Sequence, residues 1–210
     1  MKSEAMWDQL AGNWDQPGVS LGENDLRLIE KTRKYLAASA VILDYGCATG
    51  SIALELAPTV KTVYGLDLSA RMIELARRKA DERQAANTNF MHATIFDERL
   101  EAASLDAILA FSVLHLTEAP AQVLARINHL LKPGGVFISA TPCLGEKNLT
   151  SRLINVPLML LSKIGILPPI NFFSGSQLAA AITAASFRLI ETETLSGPPT
   201  SECFFVARKI

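Results

Sequence analysis

At 210 residues, with 20 lysines and arginines against 21 acidic residues and a formal net charge of -1, the chain is long enough to bury one three-layer core and too short for a second full domain. Charges of both signs are interleaved along it, so the concentrated positive face that a phosphate backbone demands is missing, and nucleic acid is not expected as a partner. Its three cysteines, Cys47, Cys143 and Cys203, lie far apart with no CxxC pair. That usage suggests neither a disulfide framework nor a zinc site, and fits reduced thiols in a cytoplasm with no bound metal.

The opening, MKSEAMWDQLAGNWDQ, is polar and lacks the apolar core of a secretory signal; residues 1–36 read as an N-terminal helical segment. From about residue 40, short apolar runs alternate with helical patterns, the mark of strands joined by crossover helices into a mostly parallel sheet. Strands are predicted at Ala40–Tyr45, Thr62–Asp67, Thr88–Ala93, Asp106–Phe111 and Gly135–Thr141. Ser69 is placed to cap a helix whose Met72, Ile73, Ala76 and Ala80 share one face. Thr117 is expected to cap another, with Pro120 in its first turn and Val123, Leu124, Ile127 and Leu131 facing inward. Lys132, Pro133, Gly134 and Gly135 then stop that helix and turn the chain into the next strand.

Residues 142–175 read as neither strand nor crossover helix, and are more apolar than a connection needs. They are a candidate cap over a binding site, although the same surface would also serve to bury itself in a homodimer. The uncharged run Ile164–Phe187 carries Pro168 and Pro169, which would break the helix a bilayer crossing requires, so no transmembrane segment is expected. Ser174 or Ser176 opens a last helix. Two final strands, from Phe187 and from Glu202, have no long helical pattern between them and should form an antiparallel edge hairpin around SGPPTS. All 210 residues are expected to form a single domain.

The chemistry concentrates in DYGCATG, Asp44 to Gly50, which leaves the first strand and enters the helix SIALELA. Glycines at such a turn let backbone N–H groups approach a ligand at a helix N-terminus, and the turn alone would serve a dinucleotide as well. Asp44 stands two residues before the first glycine, where its carboxylate can orient the loop and accept a bond from a ligand ammonium. Asp67 closes the second strand 17 residues after Gly50, where a carboxylate can accept hydrogen bonds from both hydroxyls of a ribose. LKPGG precedes the fifth strand.

With these motifs the chain, from about Val41 to Thr141, resembles the class I S-adenosylmethionine-dependent methyltransferases, in particular their small-molecule branch. The resemblance implies an α/β, Rossmann-like three-layer sandwich with a seven-stranded, mostly parallel sheet and an antiparallel edge hairpin. It implies S-adenosyl-L-methionine as cofactor, S-adenosyl-L-homocysteine as product, and methyl transfer to an oxygen, nitrogen or carbon of a small acceptor, which the apolar content of 142–175 suggests is lipophilic. Carried over, Asp44, Gly46, Cys47 and Gly50 would line the methionine portion, and Asp67 would hold the ribose. Leu68 and Met72 would pack near adenine, Thr94 would take the polar contact to its amine, and Ile95 would cover the ring. Phe111, Ser112 and Val113 would face the sulfonium. Two positions depart from the family pattern: Ala48 replaces the middle glycine of the first motif, and Thr94 replaces the usual acid.

His115, just past the fourth strand, is the candidate catalytic residue, since a neutral imidazole there could take a proton from a hydroxyl or orient an amine. The same position also suits a residue that closes the following helix or touches the cofactor. His92 and His129 read as structural. Trp7, Trp14 and Asp15 are similar to the family's N-terminal aromatic segment, which folds over the cofactor, and Trp14 is placed with the cofactor-binding residues. A nicotinamide dehydrogenase would want a third glycine and a YxxxK pair; here the turn reads GCATGS, and Tyr35, Tyr45 and Tyr64 open no such pair. The alternative kept open is a non-catalytic S-adenosylmethionine-binding regulatory or partner protein.

Overall fold

Strand residues alternate between two buried faces, and that alternation sets the architecture. In a computed structural model of the chain, residues 2–14, 21–145, 157, 160–162, 170–195 and 202–210 are described. Strands β1 (Val41–Tyr45), β2 (Thr62–Asp67), β3 (Thr88–His92), β4 (Leu105–Phe111), β5 (Leu131–Pro142), β6 (Phe187–Thr194) and β7 (Glu202–Lys209) form one sheet in the order β3-β2-β1-β4-β5-β7-β6. Ile42, Leu109, Ile138 and Phe204 belong to one core cluster, and their neighbours Leu43, Ile108, Phe137 and Phe205 to the other. A period of two with both faces apolar requires a layer of helix on each side.

The sequence supplies those layers. Helices α2 (Glu23–Arg33), α3 (Ser51–Leu56) and α4 (Ala70–Glu82) contribute Leu28, Ala53, Leu54 and Ile73 to the first cluster, while α5 (Pro120–Leu130) and α6 (Gly175–Ala184) contribute Leu124, Ile127, Leu178 and Ile182 to the second. The fold is a Rossmann-like α/β sandwich with a mostly parallel seven-stranded sheet. β7 runs antiparallel to both β5 and β6, so the expected hairpin closes one edge with β6 outermost. Helix α1 (Lys2–Trp14) packs on α4. Among the described residues no helix is long and apolar enough to cross a membrane.

Capping follows the sequence in two places and departs from it in a third. Ser69 Oγ accepts the Met72 amide, and Ser174 forms a reciprocal box with Gln177. Thr117 does not cap α5, whose N-cap is Ala119; its hydroxyl donates to Leu114 O and closes the 3-10 turn Leu114–Leu116 instead. Pro120 at the first helical position has no N–H to satisfy, which lowers the demand for a cap there. LKPGG is absorbed into β5 as an irregularity: Leu131 pairs with Leu105 and Val136 with Ala107, and Gly134 adopts φ +75° between them.

The cysteine expectation requires correction. Cys143 and Cys203 form a disulfide, with Cα atoms 6.1 Å apart, and only Cys47 is free. Sixty residues separate the two in the chain, but antiparallel pairing of β5 with β7 sets Thr141 opposite Cys203 and so brings Cys143 alongside. A second long-range tie joins α2 to β6. Lys31 pairs with Glu191 and Glu193 and lies over the Phe204 ring, Tyr35 donates to Glu191, and Arg27 pairs with Glu193.

Gly65 on β2 is fixed by its neighbour on β3. An added Cβ would lie 2.4 Å from Phe90 Cδ1 and 3.0 Å from Cys47 Sγ, and the same ring closes on Gly50. Phe90 is buried and cannot swing aside without opening a void. Gly65→Ala is therefore expected to cost about 1–3 kcal/mol of stability by overpacking, read as a lower midpoint in urea unfolding; an unchanged midpoint would show that the ring yields freely.

Candidate active site

Strand order reverses between β1 and β4, so the chain leaving β1 and the chain leaving β4 diverge and open a crevice beyond their C-terminal ends. The turn after β1 folds back over β2: the amides of Gly46 and Cys47 both donate to Leu66 O, at 2.8 and 2.9 Å. Gly46 has φ +76°, and a Cβ there would lie 2.7 Å from Val113 Cγ2, so the chain after β4 packs directly on this turn. Ala48, at the family's middle glycine, tolerates φ +46° and donates its amide to Asp67 Oδ2 at 2.9 Å. Asp67 Oδ1 accepts the Ser69 amide at 2.9 Å. One carboxylate thus joins the turn after β1 to the turn after β2, with lone pairs left for a ligand.

Both acids of the crevice are held away from their usual titration range. Asp44, 3% exposed, is pushed up to about 7, first by burial and then by the neighbouring charge of Asp67. Burial likewise raises Asp67, against the opposing pull of its amide donors. Cys47 is raised by burial and by both carboxylates, so its thiol stays neutral. Among the described residues nothing donates a hydrogen bond to the Asp44 carboxylate. A buried, unpartnered carboxylate beside a second one is costly unless a cation or proton joins it. The pair therefore fits a ligand that carries a positive group near Asp44 and hydroxyls near Asp67, which is the chemistry of an adenosyl sulfonium amino acid.

These groups line a cavity of about 920 Å³ that also receives Gly46, Cys47, Leu68, Met72 and Thr94. Phe111, Ser112 and Val113 reach it from the end of β4, and Trp14 from α1. Two expected cofactor contacts are displaced. Ile95 is fully buried in the core between the sheet and α5, and half-exposed Phe96 takes its place on the wall. The turn that returns the Asp97 amide to Thr94 O sends consecutive side chains in opposite directions. Gly50 does not line the cavity either; with φ +75° and the Phe90 ring behind it, it shapes the entry to α3 from the core side.

Several lining residues escape sequence reasoning. Thr49 sits inside the recognised motif and Ser51 directly follows it, so both could have been read from the sequence. Asp25 and Leu28 of α2, Glu118 and Gln122 near the start of α5, and Glu202 at the start of β7 reach the cavity only through tertiary packing. Helix α1 is tied over one side by Asp8, which accepts Ser69 Oγ at 2.5 Å and the Arg71 amide at 3.1 Å, a carboxylate at the N-terminus of α4. Trp7 stands edge-on to Trp14. Asp15 and most of 142–175, the expected cap, lie outside the described residues.

A family model described as a methyltransferase domain matches residues 36–163. Demethylmenaquinone methyltransferase of Lactiplantibacillus plantarum is 31% identical over 147 residues, covering 64% of this chain and 60% of that protein. Ubiquinone biosynthesis O-methyltransferase of Methylocella silvestris is 32% identical over 145 residues, covering 69% of this chain and 56% of that protein. The chain thus spans about three fifths of the length of the curated relatives it matches. Among solved structures, the cyclase SpnF aligns with a TM-score of 0.77 at 18% identity, covering 98% of this chain and 94% of that one. That likeness is one of fold, and a fold does not fix a reaction.

His115 does not occupy the catalytic position expected of it. It sits in the 3-10 turn Leu114–Leu116, whose Leu116 and following Thr117 line the cavity while the imidazole does not. Its carbonyl receives the Asn171 amide at 2.7 Å, and its Nδ1 is buried with no partner among the described residues. Burial depresses the pKa of the imidazole to about 4. The unfolded chain takes up a proton near pH 6.5 that the folded chain refuses until about 4, so this residue costs stability as pH falls through that window. The expected loss between pH 7 and 4 is up to about 3 kcal/mol, measured by denaturant unfolding, and His115→Phe should remove it. Equal pH slopes in the two proteins would show that the imidazole titrates freely.

Proposed function

We propose, since this chain belongs to the class I S-adenosylmethionine-dependent methyltransferases, that it transfers the methyl group of S-adenosylmethionine to an oxygen, nitrogen or carbon of a small apolar acceptor, releasing S-adenosylhomocysteine. The observation that carries this reading is the pair Asp44, buried, and Asp67, half-buried, two carboxylates facing one cavity. Asp44, with the turn at Gly46 and Cys47, would hold the cationic amino-acid end. Asp67 would accept the ribose hydroxyls, its orientation already set by Ala48 and Ser69. Leu68, Met72 and Phe96 would enclose the adenine, with Thr94 beside its amine. Phe111, Ser112 and Val113 would border the sulfonium, under Trp14.

The bound sulfonium supplies an already activated methyl group. What the chain must add is alignment of the nucleophile and exclusion of water, which can account for much of the barrier reduction without a strong base. The wall supports this division of labour: Met6, Trp7, Leu28, Ile52 and Leu116 present apolar surface to the same cavity. Such surface favours an apolar acceptor, and the quinone names of two relatives agree with one.

Two measurements test the reading. Asp44 must be ionised to hold an ammonium, so S-adenosylmethionine affinity in calorimetry should be highest above pH 7. It should fall by up to about tenfold per unit below that point. Asp44→Asn should bind weakly with little pH dependence; an unchanged pH profile would move the amino group elsewhere. Incubation with methyl-labelled donor and a panel of apolar alcohols, phenols, amines and carbon acids should transfer label to at least one class. Binding without transfer to any of them would leave a cofactor-binding partner protein as the function.

A further inference from the structure

Helix α1 forms part of the cavity wall without belonging to the core. Ser3, Met6, Trp7 and Trp14 line the cavity, and their spacing places them on one face of the helix. Ala11 is the one buried residue among those described in α1, and neither core cluster includes any α1 residue. A helix of 13 residues is marginal by itself, so with this little apolar burial its polar ties decide where it lies. Those ties come from the flank next to the lining face, where Glu4 and Asp8 stand one turn apart. Glu4 Oε1 lies 3.2 Å from His92 Nε2 at the end of β3. Asp8 reaches the start of α4 and makes the stronger pair of contacts, to the Ser69 hydroxyl and to the Arg71 amide.

The Asp8 tie leads directly to the ribose carboxylate. Ser69 is fully buried between β2 and α4. Its amide donates to Asp67 Oδ1 at 2.9 Å, its Oγ accepts the Met72 amide at 3.0 Å, and its hydroxyl donates to Asp8 Oδ1 at 2.5 Å. The two donors, Ser69 and Arg71, hold the Asp8 carboxyl below its usual range, so it is ionised at neutral pH and the bonds are charge-assisted. One side chain on α1 thus fixes the rotamer of a residue whose backbone orients Asp67 and whose neighbours Leu68 and Met72 line the same cavity.

We propose that Asp8 is a positioning residue for the cofactor: it holds the tryptophan face of α1 on the cavity and, through Ser69, fixes the carboxylate of Asp67. Without Asp8 a buried hydroxyl loses the acceptor of its proton, the turn that carries the Ser69 amide loses one of its restraints, and α1 loses its main tie to α4. The loss falls on the adenosyl half of the ligand, because Asp67, Leu68 and Met72 all belong to that half. The inference rests on the methyltransferase reading, which assigns the region at the end of β2 to the adenosyl group.

The test is calorimetric titration at pH 7.5 with S-adenosylhomocysteine and with 5'-methylthioadenosine, which keeps only the adenosyl half, together with tryptophan emission. Trp7 and Trp14 are the chain's two tryptophans and both line the cavity, so saturation with S-adenosylhomocysteine should change the emission of the unsubstituted protein. Asp8→Ala should weaken both ligands about tenfold, the loss of one charge-assisted contact, and should at least halve the emission change. Asp8→Asn keeps an oxygen for both donors and should stay within threefold of the unsubstituted affinity. Asp8→Ser, too short to reach both donors, stands in if Asp8→Ala fails to fold. The inference is overturned by affinities within twofold in Asp8→Ala, by weakening of S-adenosylhomocysteine alone, by an emission change absent from the unsubstituted protein or fully kept in Asp8→Ala, or by Asp8→Asn binding no better than Asp8→Ala. Failure of the unsubstituted protein to bind S-adenosylhomocysteine would overturn the methyltransferase reading instead.

Discussion

The contact on which the site depends is the one between the Ala48 amide and the Asp67 carboxylate. It joins two turns that leave different strands, and it does so with a charge that burial penalises. Leu66 O strengthens the same seam by receiving both Gly46 and Cys47. Together these bonds decide how far the turn after β1 leans over β2, and hence whether the crevice has a floor. Phe90 then fills the space behind, between Gly65 and Gly50, so the floor rests on packed core. A cofactor bound here would meet groups already oriented, and little of its binding energy would go into ordering them.

That seam has an electrostatic consequence. Two carboxylates close enough to perturb each other, one of them pushed up to about 7, make a site that is unfavourable when empty of positive charge. A cation entering it relieves a penalty already present in the folded protein, so part of its affinity comes from the protein's own destabilisation.

Much of this was legible in the sequence, because the strands are short apolar runs with clear punctuation and because DYGCATG and Asp67 lie within one unit of strand, helix and strand. Ser69 and Ser174 announced their caps for the same reason: the signal is local. What escaped was tertiary. Ile95 and Phe96 are adjacent apolar residues, and only the turn geometry decides which faces the core. His115 looked catalytic by its place after β4, yet it lies in a 3-10 turn with its Nδ1 buried and is not among the residues that line the cavity. Thr117 satisfies the preceding turn where the following helix was expected to claim it. Cys143 with Cys203, and Glu202 with Ser112, become neighbours only once β7 is inserted beside β5.

That insertion also bears on how the molecule is made. β6 precedes β7 in the chain, yet β7 lies inside it, against β5, with Phe204, Phe205 and Val206 buried on both faces. While a nascent chain emerges from the ribosome, β5 and β6 appear first, each with an unsatisfied edge and no partner for the other. Strand edges left open in this way invite pairing with other chains. The cell's chaperones would therefore meet this protein at its most adhesive between the emergence of β5 and the arrival of β7.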